Sequence, residues 1–101
     1  MSVEQKVINY YIVLVERCCN KGGYSKLSKL ETREELKKSA LGFFKGNGYD
    51  NDRILKILDT CNVTTIGFFD ELFARGVRIW TGEDFSKEGL RGRLNIALQS
   101  A

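Results

Sequence analysis

Residues Ile54 to Arg75, ILKILDTCNVTTIGFFDELFAR, decide how this chain is read. Apolar residues at helical spacing stand at both ends, and between them Asp59 to Asp70 opens on the polar run Asp-Thr-Cys-Asn-Val-Thr-Thr. Asn, Thr and Val are weak helix formers, and Asn and Thr favour caps and turns. The stretch therefore reads as helix, polar joint, helix, with one helix running to about Thr60 and the next opening at Thr64 or Thr65. The joint carries two functional readings. As a helix-turn-helix, Asn62 supplies the turn, Val63 the apolar plug, and Thr64 and Thr65 the first contacts to base edges. As a calcium loop, Asp59 and Asp70 stand at its first and last ligand positions.

Both literal functions are weak on their own chemistry. Outward positions of the second helix include Asp70 and Glu71, while the nearest arginines, Arg75 and Arg78, come only at its C-terminal end. Non-specific affinity for nucleic acid is mostly electrostatic, so an acidic reading helix starts badly. For calcium, Cys61 and Val63 fall where oxygen ligands belong, and Thr64 replaces the turn glycine. The loop is not expected to bind the ion.

Outward from the joint, helices are expected throughout. Ser2 and Gln5 form a capping box opening a first helix over about Val3–Asn20, which Gly22 and Gly23 end. Its apolar side is wider than the usual stripe on a surface helix. Two explanations stay open: a central core helix, or a dimer seam through Val7, Tyr11, Leu14 and Val15. The β-branched run Val7 to Val15 also fits a buried strand, although the cap and the clean polar side favour helix. Residues 24–31 read as a basic loop. Thr32 with Glu35 opens a second helix through Phe44, Gly46-Asn47-Gly48 stops it, and Asn51 caps a third. Residues 77–80, VRIW, fit a last turn or a short strand, and Ser86 caps a final amphipathic helix. The expected architecture is all-α: a single domain over 1–101 with four to five helices, a core over 3–76 and a helical extension over 77–101.

Composition bounds the function. The chain has 101 residues, a net charge of +3 and no histidine, so the commonest general base and metal ligand are both missing. No Gly-rich phosphate loop appears. The longest unbroken apolar run, Tyr10 to Val15, is far short of a membrane span, and Glu4, Gln5, Lys6 and Asn9 interrupt any signal-peptide core. Three cysteines, two adjacent, do not make a disulfide framework; a reduced, cytoplasmic location is expected. Charge is uneven: residues 17–45 hold eight Lys/Arg against three acids, and residues 46–74 two against five. The first segment reads either as a basic binding face or as a solvated one.

The segment before the joint adds a resemblance. Helix 1 through CCNKGGYSKLSKLE (Cys18 to Glu31), then EELKKSALGFF (Glu34 to Phe44), ILKILDTC (Ile54 to Cys61) and IGF (Ile66 to Phe68) resemble the calcyclin and calgranulin family of small two-EF-hand proteins. The match covers about residues 3–74. Thr32 and Glu35 stand where that family has leucines, the hinge is short, and residues 78–101 have no counterpart. The resemblance implies degenerate paired EF-hands, with Glu31 the one candidate calcium ligand, closing the first loop. It also implies a homodimer through helix 1 and a target-binding cleft beside the hinge.

The expected function is thus non-enzymatic: a regulatory protein-interaction module, self-associating, that binds or inhibits a partner protein through an apolar groove without calcium. No catalytic residue and no cofactor is assigned. The partner-binding candidates are Phe44, Tyr49, Phe69, Phe73, Arg75, Arg78 and Trp80, because two short helices cannot bury every phenyl ring and Trp and Arg dominate interface energetics. The alternative is a small helix-turn-helix regulator that binds nucleic acid. Cys18 and Cys19, near Lys21, add a redox reading against the default of inert buried thiols.

Overall fold

One helix, α3, runs unbroken from Asn51 to Ala74 and contains the whole of the expected joint. The computed structural model describes residues 1–100 and, of Tyr24, the backbone alone. The reason for the continuity is periodicity. Buried Ile54, Ile57, Leu58, Cys61, Thr65, Phe68, Phe69 and Leu72 recur at three- and four-residue spacing straight through the polar run. The propensity penalty of Asn, Val and Thr is at most about 0.7 kcal/mol each, and burial of a full helix face outweighs it. Asn62 also has a use inside the helix: the Tyr11 hydroxyl donates to its Oδ1 at 3.0 Å. No non-glycine residue among those described takes a positive φ, so Asn62 makes no turn. At the start of α3 the cap is Asp50 rather than Asn51, its Oδ1 accepting from the Asp52 amide at 2.9 Å.

The other elements are α1 (Val3–Leu27), α2 (Leu30–Gly46), a 3₁₀ turn (Gly82–Phe85) and α4 (Leu90–Ser100), with no strand among the described residues. The expected cap of α1 is present, with Ser2 Oγ accepting from the Gln5 amide at 3.2 Å. Val7 to Val15 are helical, which removes the strand reading. Gly23 interrupts α1 as its position suggests (φ 60°, ψ −150°), but helix resumes and reaches Leu27. Residues 24–27 are therefore not loop. Thr32 does not cap α2; it lies buried inside it, behind an N-cap at Lys29 that makes no side-chain bond. Residues 77–80 are a connection, neither turn of α3 nor strand.

α1 and α3 lie side by side and parallel: Glu4 meets Arg53 at 2.9 Å near their starts, and Tyr11 meets Asn62 further along. α2 packs against both, and so does α4. Lys37 ties α2 to α3 through Asp59 at 2.8 Å, and Arg93 ties α4 to α3 through Glu71 at 2.6 Å. Gln5 with Asn95 and Asn9 with Arg91 join α1 to α4. This placement settles the two explanations for α1. Val7, Tyr11 and Val15 are 0% exposed in the single chain, and Leu14 is half-buried. They form the core, so the seam drawn through them is already closed by α2, α3 and α4. Leu90 and Leu94 of α4 and Phe85 belong to that same core, so residues 77–101 are integral rather than an extension.

Candidate interaction surfaces

The residues nominated for partner binding separate into two groups. Phe44 and Phe69, at 2% and 1% exposure, belong to the core, Phe44 at the base of an apolar groove. Trp80 is half-buried and lies flat on Phe69, with centroids 3.6 Å apart and planes at 10°, while Phe85 meets its edge. The indole thereby pins the 75–81 connection to α3. Arg78 closes the end of α3: its Nη1 donates to the Phe73 carbonyl at 2.9 Å, and its guanidinium stands 3.9 Å from the Phe73 ring centroid. That carbonyl also accepts from the Gly76 amide at 2.9 Å, so Arg78 adds a second donor at the helix end. Arg75 pairs with Glu71 at 2.5 Å. Of the nominated set, Phe44 and Tyr49 line this apolar groove, and sequence reasoning missed their companions there.

That groove, about 470 Å³, lies where the start of α1 meets the end of α2 and the turn into α3. Its floor is an aromatic cluster. Tyr10 stacks on Phe43 with centroids 4.2 Å apart and planes at 9°, and Phe44 meets Tyr10, Phe43 and Tyr49 edge-on. Phe43 remains 45% exposed, and Met1 projects at the groove's edge. Lys6 is the one charged side chain among the described lining residues: its Nζ donates to the Tyr49 hydroxyl at 2.9 Å and stands 5.6 Å from that ring's centroid. No acidic side chain lines the groove. The sequence signal was the adjacent pair Phe43-Phe44: on a helix, neighbours in sequence point about 100° apart, so one buried ring leaves the other near the surface.

Metal and thiol chemistry find little support in the geometry. Asp59 and Asp70 are separated by roughly 16 Å of helix rise and cannot converge on an ion. Asp59 is engaged by Lys37, and Glu31 is exposed in the first turn of α2. Among the described residues no group of three or more His, Cys, Asp or Glu is placed to hold a metal. Burial pushes the thiols of Cys18 and Cys19 up, outweighing the lysines near Cys18, and pushes Cys61 up to about 12. A thiol kept protonated is a poor nucleophile, which corrects the redox reading. No helix among the described residues is long and apolar enough to cross a membrane.

Comparison with protein families, with curated proteins and with solved structures returns no match. What the chain defines by itself is a class, an all-α bundle of four helices and a 3₁₀ turn.

Proposed function

We propose that the protein is a non-enzymatic interaction module that receives an apolar segment of a partner protein in the groove floored by Tyr10, Phe43 and Tyr49. The observation that carries this reading is Phe43: a large ring left 45% exposed on a preformed aromatic floor. Exposed apolar surface gathered in a concavity marks binding sites, whereas scattered single residues do not. The occupant is a short segment with an aromatic or aliphatic anchor and an acidic neighbour, because Lys6 supplies a cation at the rim and no acid lines the groove. Binding of this kind needs no calcium. Self-association through α1 is not part of this reading, since that face is core.

The test is selection from a displayed random-peptide library, followed by titration of the selected peptides against the protein. Enriched peptides should combine an apolar anchor with Asp or Glu and shift the resonances of Tyr10, Phe43 and Tyr49. Phe43→Ser should weaken them at least tenfold and Lys6→Glu several-fold, with millimolar calcium making no difference. Peptides that bind equally well to Phe43→Ser would sink the proposal.

A further inference from the structure

The opposite end of the bundle has a different character. Residues 17–30, RCCNKGGYSKLSKL, carry four cations, Arg17, Lys21, Lys26 and Lys29, and no acid. All four are exposed. Among the described residues none of them joins the ion pairs that tie Lys37, Arg53, Arg75 and Arg93 to carboxylates. The fold brings Lys26 back toward Lys21. The break at Gly23 turns the end of α1, and Lys26 folds back across Gly22, where an added Cβ would stand 2.8 Å from the Lys26 Cβ. The charges of Lys26 and Lys21 both bear on the Cys18 thiol, as does that of Glu35 from α2. The connection after α3 comes to the same place: a Cβ on Gly23 would lie 4.0 Å from the Arg78 carbonyl oxygen. Lys21, Gly22, Gly23, Arg78, Ile79 and Trp80 then line a cleft of about 440 Å³ that contains no acidic side chain.

We propose that this end of the molecule binds single-stranded nucleic acid. The cations hold backbone phosphates, and Ile79, 83% exposed, with the accessible part of Trp80 offers an apolar rim to unstacked bases. A duplex fits less well, because its reading needs a helix or ribbon that enters a groove, and here Lys21 and Arg78 line a recess, with the other cations exposed on the same segment of chain. This surface is independent of the aromatic groove, from which it is separated by roughly 20 Å of α1.

The experiment measures anisotropy of a labelled oligothymidine of about twenty nucleotides against the full chain, with the emission of Trp80, the single tryptophan, followed in parallel. Binding should weaken with salt, with a log–log slope of about −3 for four to five phosphate contacts, and should change Trp80 emission. Lys21→Glu with Lys26→Glu and Lys29→Glu should weaken it tenfold or more, and so should the separate pair Arg17→Glu with Lys21→Glu. Lys45→Glu with Lys56→Glu, exposed cations outside the cluster, should stay within about twofold. Thermal melting checks that each variant folds. The proposal is overturned by salt-independent or absent binding, by an unchanged Trp80 signal, or by equal loss in the Lys45/Lys56 control. Tighter binding to a duplex of equal length, or to vesicles of anionic lipid, would overturn it as well.

Discussion

At the scale of single residues, Asn62 shows how a side chain can be right in chemistry and misread in place. Its amide suits a turn, and a neighbouring Val-Thr-Thr run strengthens that impression; in the fold it accepts from the buried Tyr11 hydroxyl. Burial, the dominant influence, pushes the Tyr11 phenol well above its usual value, so the group stays a donor at every working pH. Asn62→Ala removes that acceptor, with the Thr65 hydroxyl the remaining side-chain hydrogen-bonding group beside the phenol, and is expected to cost about 0.5–1.5 kcal/mol, the ordinary net worth of one hydrogen bond; urea melts check the value. Glu71 makes the residue-scale case for charge. Its hydrogen bond from Arg93 lowers its pKa from the ordinary 4.5. A depressed carboxyl stabilises the fold fully above its ordinary value and loses that contribution as pH falls through the folded value. The melting temperature of Glu71→Gln should therefore lie below wild type at neutral pH, and the gap should close as pH falls below the ordinary carboxylate range.

Elements were legible to different degrees, for physical reasons. The start of α1 was marked by Ser2 and its break by Gly23, because a cap and a positive φ are local demands that particular residues meet. α3 was legible only through its long-range stripe. From Ile54 to Leu72 the buried positions never lose the three-four rhythm, and that rhythm was outweighed in the reading by four residues of poor propensity. The aromatic groove was half-visible: Phe44 and Tyr49 stood among the candidates, while Phe43, Tyr10 and Lys6 needed the antiparallel packing of α2 on α1 to bring them together. Two substitutions test the helix itself. Gly67 has open space around its Cβ position, so Gly67→Ala should stabilise the protein by about 0.5–1 kcal/mol, as glycine in mid-helix is that much worse than alanine. Val63→Pro, on the exposed face of the same turn, should cost about 3 kcal/mol or more by breaking the helix ladder. Chemical melts that find Val63→Pro harmless would place a turn there after all.

Across the whole molecule, α3 is the common wall. α1, α2 and α4 all pack on it, which makes the chain one cooperative unit and assigns α4 a structural role. Leu94→Ala should accordingly cost about 2–5 kcal/mol, in line with other fully buried leucines, and shift a single unfolding transition; a separate early transition for α4 would contradict the shared core. With the apolar faces of α1 and α3 buried, the two candidate surfaces lie at the two ends of the bundle, one apolar and aromatic, the other basic. This arrangement depends on the continuity of residues 59–70, and native-state amide hydrogen exchange reads that directly. The amides from about Leu58 to Phe69 should exchange slowly and together, through the same cooperative opening. A gap of fast exchange at Asn62 to Thr65, between two protected helices, would contradict the account and restore the joint.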